Sequence, residues 1–286
     1  VQTLIDVTVP PLTFVLLAAV GLDLTSEEFA RVRRQPMVVT AGIVGPLLFL
    51  PPVAVGLAWL FRPTPAVASG LLLVAACPIG GISNTFSYLA RASTALSVTL
   101  TGLSCLLASA TIPLVGKGLE IALGRELDLA PPIPALLAQL ALMLALPIAI
   151  GMWVRRRWPD VARRYRATFE RLAFIGVGIV LCLIILDDPR TFVRELPETV
   201  PLAAVFVMFS SAVGWMTAAA VTEDRRDRFT LAAEFGTRNL GVAMAVAVTL
   251  LGRVEFARFA YTYFLVEVPI LLAAVVLFRR TQAIEA

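Results

Sequence analysis

The chain has 286 residues, of which 59% are apolar and 15% charged, and a formal net charge of +4. A soluble domain carries about 45–50% apolar and about 25% charged residues, so this chain lacks the polar surface that a water-facing fold needs. That excludes a soluble enzyme, a disordered tail and a fibrous protein.

A membrane-spanning helix needs about 20 mostly apolar residues. Nine segments qualify in chain order, at roughly 4–22, 37–61, 66–90, 94–115, 133–154, 169–187, 200–221, 229–251 and 256–278. Proline and glycine mark several boundaries, as at Arg62-Pro63-Thr64-Pro65 and Pro131-Pro132. The first segment has no basic leader and contains Pro10-Pro11, so it reads as a retained span and not a cleaved signal peptide. No long linker interrupts the series, and residues 1–286 read as one all-α transmembrane domain. Arginine is concentrated in the loops after the odd-numbered segments, most heavily from Arg155-Arg156-Arg157 through Arg171. The positive-inside rule then predicts an outside N-terminus and a cytoplasmic C-terminus in a plasma membrane, and the Arg- and Ala-rich composition points to a bacterial inner membrane. The excess positive charge is therefore a topology signal anchored at the lipid surface, and no nucleic-acid or protein partner is evident.

Two segments should not be continuous helices. The third contains Cys77-Pro78-Ile79-Gly80-Gly81-Ile82-Ser83-Asn84. Proline followed by two glycines breaks the helical hydrogen-bond ladder. The eighth carries Glu234-Phe235-Gly236-Thr237-Arg238-Asn239, with two charges inside an apolar run. Each such charge costs roughly 2.5–3.5 kcal/mol even on a lenient insertion scale. The two segments lie five apart and so run in opposite directions, which is the pattern of an inverted-repeat secondary transporter. A break exposes carbonyls that suit a cation and N–H groups that suit an anion. The chain has no histidine, which removes histidine triads, histidine-ligated metals and histidine proton relays, and no enzyme is predicted. Cys77, Cys105 and Cys182 form no CxxC pair and read as small buried hydrophobes.

These residues carry a resemblance to the bile acid:sodium symporter family. Its most specific part is Cys77 to Asn84, followed by Tyr88-Leu89-Ala90-Arg91 and Ala95-Leu96-Ser97-Val98-Thr99-Leu100-Thr101. The second part is Glu234 to Asn239, and a weaker third is Gly21-Leu22-Asp23-Leu24 with Phe29 and Pro36. The resemblance implies a nine-span fold, or a ten-span one trimmed at the N-terminus, with a panel and a core domain. The two broken helices cross at mid-membrane inside that core. It also implies one sodium site made by Ser83, Asn84, Ser97, Thr101 and Glu234. The chemistry agrees, because sodium is a hard cation that takes oxygen ligands. The i, i+4 spacing of Ser97 and Thr101 puts both on one helix face. Asn239 and Thr237 are implied to face the substrate.

The sequence departs from the family at a second sodium site. The family pattern there ends Glu-x-Gly-x-Gln-Asn, and here Arg238 replaces the glutamine. A further glutamine on the second span is also missing, since Gly42 to Pro51 carries no polar side chain. A guanidinium repels sodium. Arg238 is thus a tethered cation that either holds the crossover together or pairs with a substrate carboxylate. Glu267 is its possible ion-pair partner. The resulting reading is sodium-coupled symport of an organic anion, either bile-acid-like or a small carboxylate such as pantoate or a 2-oxo acid. The alternatives are proton coupling at Glu234, sodium-independent transport, a ligand-binding membrane sensor, and the related arsenite-exporter branch.

Overall fold

The computed structural model describes residues 2–24, 30, 32–123 and 138–285. Phe29 and the beginning of the expected segment 133–154 lie outside the described residues. The elements are α1 (Gln2–Asp23), α2 (Pro36–Phe61), α3 (Pro65–Ala76), α4 (Ile82–Leu89), α5 (Thr94–Leu123), α6 (Leu146–Arg157), α7 (Pro159–Asp187), α8 (Pro189–Ala219), α9 (Arg225–Gly236), α10 (Leu240–Ala245) and α11 (Val254–Glu285). Single π-helical turns precede α6 at Ala141–Ala145 and extend α10 through Val246–Leu250. Proline opens α2, α3, α7 and α8, where its fixed φ fits the first turn and its missing N–H costs nothing. Asp188, Asp224 and Asn239 cap α8, α9 and α10 through their side-chain oxygens.

Among the described residues, six helices are long and apolar enough to cross a membrane: Thr3–Asp23, Pro36–Phe61, Thr94–Gly116, Ala138–Arg157, Pro189–Ala219 and Val254–Gln282. The expected segments at 66–90, 169–187 and 229–251 take a different form. The first and last are each divided into two short helices. The middle one is the apolar end of α7, whose opening turns carry Asp160, Arg163 and Arg164. Its uninterrupted apolar run is Leu172–Leu186. The chain is an all-α integral membrane protein.

Packing divides unevenly along the chain. Helix α1 lies chiefly against α6 and α7, while α8 packs on α9, α11 and α2, and α11 on α3. The α1–α6 contact is backbone against backbone. A Cβ added at Gly21 would stand 2.1 Å from the Ile148 carbonyl oxygen, and one at Gly151 would stand 2.2 Å from that of Ala18. Close approach through small residues is how helices associate where lipid removes the hydrophobic driving force.

Both breaks form where the sequence demands them, and they pair with each other. Cys77 takes an extended conformation (φ −69°, ψ 153°), as the residue before a proline must. Thr237 is likewise extended (φ −110°, ψ 125°). Ile79 and Arg238 form an isolated antiparallel bridge, and the Asn239 N–H donates to the Pro78 carbonyl at 2.9 Å. The remaining freed groups find side chains. Ile79 N–H donates to Ser104 Oγ at 3.1 Å, and the Cys105 thiol reaches the Ile79 carbonyl at 3.6 Å. The Tyr263 hydroxyl donates to the Gly236 carbonyl at 2.6 Å. Irregular backbone inside a bilayer survives only when protein satisfies it in this way.

Two predictions follow from this crossing. An added Cβ at Gly80 would lie 2.6 Å from the Arg238 carbonyl oxygen, whereas the same atom at Gly81 meets nothing within 4 Å. Gly80→Ala should therefore lower the melting temperature sharply, by the equivalent of about 1–3 kcal/mol or more, while Gly81→Ala should melt like the parent. Ser104→Ala should cost about 1–3 kcal/mol, because it strands a buried N–H. Thermal unfolding of the purified variants in detergent checks both, and equal melting of the two glycine variants would contradict the crossing.

Candidate functional site

The functional side chains come from the second half of the first broken helix, the first half of the second broken helix and the long helix α5. Ser83 and Asn84 sit in the first turn of α4, immediately after the first break. Ser97 and Thr101 lie one turn apart on α5. Glu234 is in the last turn of α9, just before the second break. Ser83, Ser97 and Glu234 are fully buried, Thr101 is 1% exposed, and Asn84 is half-buried.

The five side chains meet. Ser97 Oγ lies 2.8 Å from Asn84 Oδ1 and also donates to Glu234 Oε1. Thr101 Oγ1 lies 3.3 Å from Glu234 Oε2, 3.4 Å from Asn84 Oδ1 and 3.2 Å from Ser83 Oγ. The helices explain the convergence: α5 packs against both α4 and α9, and its i, i+4 pair projects toward the same point. Three hydroxyl protons serve a carboxylate, an amide oxygen and the hydroxyl oxygens themselves. A carboxylate alone offers about four lone-pair sites, so acceptors outnumber donors. An oxygen-rich, acceptor-heavy cluster with one negative charge fits a hard monovalent cation.

Arg238 lies beside this cluster and is 4% exposed. Its guanidinium turns to main-chain carbonyls: Nη1 to Cys77 at 3.2 Å, and Nη2 to Glu234 at 2.6 Å and to Phe235 at 3.2 Å. These carbonyls end α3 and α9, so the side chain sits where two half-helix dipoles present their negative ends. Glu267 accepts the Arg238 backbone N–H at Oε2, at 3.4 Å. Among the described residues, no ion pair joins its carboxylate to the guanidinium.

A cavity of about 480 Å³ opens beside the crossover. Its wall includes Gly80, Gly81 and Ile82 at the start of α4, Asn239, Leu240 and Gly241 at the start of α10, and Asn84, Thr101 and Arg238. Two helix starts border this cavity, and Asp23 is in its wall as well. Asn239 lines it, with Oδ1 capping the Val242 N–H at 3.0 Å and Nδ2 donating to Cys105 Sγ at 3.5 Å. Thr237 does not line it. It is fully buried, and its methyl group stands 3.2 Å from where a Cβ of Gly80 would be.

Sequence reasoning passed over Ser104, Cys105 and Tyr263, which hold the breaks together. A signal existed for the first two. Ser97, Thr101, Ser104 and Cys105 recur at i, i+4, i+7 and i+8 along α5, the spacing of a single polar helix face. Tyr263 had none, because a tyrosine in an apolar helix is ordinarily read as packing.

The Sodium Bile acid symporter family matches residues 10–194, which include the first break, Ser97 and Thr101. The chain is 25% identical over 234 residues to the "Uncharacterized sodium-dependent transporter YocS" of Bacillus subtilis (strain 168), covering 82% of this chain and 71% of that one. It is 27% identical over 251 residues to the "P3 protein" of Homo sapiens, covering 86% and 51%. Against the "Probable sodium/metabolite cotransporter BASS2, chloroplastic" of Oryza sativa subsp. japonica, identity is 26% over 244 residues, covering 81% and 54%. The chain thus spans about half the length of the latter two. With its crossed, broken helices and buried oxygen cluster, the chain belongs to the sodium bile acid symporter family of membrane transporters.

Proposed function

We propose that this protein is a sodium-coupled symporter that imports a small organic anion by alternating access. The observation that carries the reading is the convergence of Ser83, Asn84, Ser97, Thr101 and Glu234 on one buried point. Sodium at that point is held by the oxygen lone pairs that three hydroxyl protons are too few to satisfy, and the hydroxyls keep their protons. The names of relatives as sodium-dependent transporters support the same choice of ion. The anion occupies the cavity of about 480 Å³, with its carboxylate against the starts of α4 and α10 and Asn239. Thr237 serves that site from behind, by packing on Gly80.

In this reading one domain of nine spans is built as an inverted repeat, with the N-terminus outside and the C-terminus in the cytoplasm of a bacterial-type inner membrane. The packing of α1 with α6 and α7 supports a panel that moves against the core carrying the crossover. Arg238 takes the place of a second sodium. Its guanidinium fills the cup of Cys77, Glu234 and Phe235 carbonyls and supplies a positive charge that never leaves. One sodium and one monovalent anion then cross without net charge. Moving one charge through 100 mV is worth roughly 2.3 kcal/mol, so uptake follows the sodium gradient and ignores the membrane potential.

Sodium, but not potassium, should raise the melting temperature of the purified protein. At about 100 times the dissociation constant the gain is about 2.7 kcal/mol, and Glu234→Gln should lose most of it. No sodium effect, with uptake driven by a pH gradient instead, would make Glu234 a proton carrier. Arg238→Gln returns an oxygen ligand to the carbonyl cup. In proteoliposomes it should make uptake sensitive to an imposed potential, with two sodiums per anion. Potential-driven uptake by the parent protein would overturn the tethered-cation reading.

A further inference from the structure

Polar side chains continue beyond the five that meet around Glu234. Along α9, Asp227, Thr230 and Glu234 recur at i, i+3 and i+7. Ser93, Ser97 and Thr101 recur at i, i+4 and i+8 from the residue before α5, and Ser83 and Ser87 at i, i+4 along α4. Those spacings put each set on one helix face, and α4, α5 and α9 pack on one another. The side chains therefore form two tiers. The inner tier is the cluster around Glu234. The outer tier is Ser87, Ser93, Asp227 and Thr230, one turn or about 6 Å nearer the membrane face where α4 ends and α9 begins. Ser93 ties this tier together: its hydroxyl donates to Asp227 Oδ1, and its N–H to Thr230 Oγ1 at 3.1 Å. Ser87 and Thr230 have no exposure, and Asp227 is 3% exposed. The Ser87 hydroxyl has no hydrogen-bond partner, and it lies on the face of α4 that Ser83 turns to Thr101. A buried hydroxyl that bonds nothing calls for a role that packing does not supply. Just past this tier the chain reaches the surface, at Arg91 and at Glu223 to Arg226.

We propose that the outer tier is the station through which sodium passes between the buried cluster and that membrane face. The inference rests on the sodium reading above, in which the face is the cytoplasmic one. An ion that leaves the inner tier gives up oxygen ligands before it regains water, and an apolar wall offers a charge nothing in exchange. One step of a helical turn carries it from Ser83 and Ser97 to Ser87, Ser93, Asp227 and Thr230, so oxygen is traded for oxygen. Ser87 offers an oxygen that no other group uses. Asp227 and Thr230 already accept from Ser93, so the outer tier holds the ion less well than the inner one and passes it on. Arg228, beside Asp227 in the chain, turns its guanidinium to the Thr222 carbonyl at 2.9 Å. None of the four residues lines the cavity, whose wall along α4 includes Asn84, Thr85 and Tyr88. Ion and anion therefore travel along different faces of α4.

The test uses the purified full chain in detergent, with sodium itself as probe and two readouts. The sodium concentration at half of the rise in melting temperature reports occupancy of the inner tier. The rate at which bound sodium exchanges with bulk sodium, from sodium-23 NMR relaxation, reports passage through the outer tier. Ser87→Ala should melt like the parent without sodium, because the lost hydroxyl bonds nothing. It should keep the half-point within about twofold and slow the exchange about tenfold, or about 1.4 kcal/mol in the barrier. Ser210→Ala is the control. It removes another fully buried hydroxyl without a partner, on α8, and should change neither readout. Exchange at the parent rate in S87A would end the proposal. So would a half-point moved well beyond twofold, which would place Ser87 in the equilibrium site, or a loss of fold, which would make its hydroxyl structural. Failure of the sodium reading is distinguishable, because it appears in the parent protein itself as a melting temperature indifferent to sodium.

Discussion

Backbone hydrogen bonding without water governs this structure. Each interruption of a membrane helix frees carbonyls and N–H groups that lipid cannot satisfy. Here the two interruptions satisfy one another, through the Ile79–Arg238 bridge and the Asn239 to Pro78 hydrogen bond. What they leave over is taken up by α5, α11 and the Arg238 side chain. Because the breaks must touch, the helix ends that flank them must gather as well. That is what brings Ser83 and Asn84 within reach of Glu234, although 150 residues separate Asn84 from Glu234 in the sequence. The oxygen cluster and the cavity both border that one crossing.

Arg238 joins the structural and the electrical sides of the account. Its side chain closes the carbonyl ends of α3 and α9, so it serves the fold. In the proposed function it also supplies the positive charge that a second sodium would otherwise bring. Glu267 accepts the Arg238 backbone N–H and, among the described residues, makes no ion pair with its guanidinium.

Much of this was legible in the sequence, for physical reasons. Pro78-Ile79-Gly80-Gly81 cannot continue a helix, and Glu234 and Arg238 cannot sit idle in lipid, so both breaks were visible as local violations of the rules for a span. The ligand set rested on family resemblance together with the i, i+4 spacing of Ser97 and Thr101, and the structure draws those side chains together. The direction of the Arg238 side chain was not legible. Sequence offers Glu267 as a charge partner, but three carbonyls from two chain segments lie closer, and main-chain acceptors leave no mark in a sequence. The full length of α7 was not legible either: its first turns are arginine-rich, so hydropathy registers only the apolar end of a helix that begins at Pro159. Thr237 differs too, since a polar residue at a break seemed bound for the cavity yet packs behind it on Gly80.

The most direct test is an experimental structure determined in sodium and again with sodium replaced by a large organic cation. In sodium, density for a single ion should lie among Ser83, Asn84, Ser97, Thr101 and Glu234, with none between Arg238 and the Cys77 carbonyl. Continuous helices through 77–81 or 237–239, or an ion held elsewhere while these five oxygens point apart, would contradict the account.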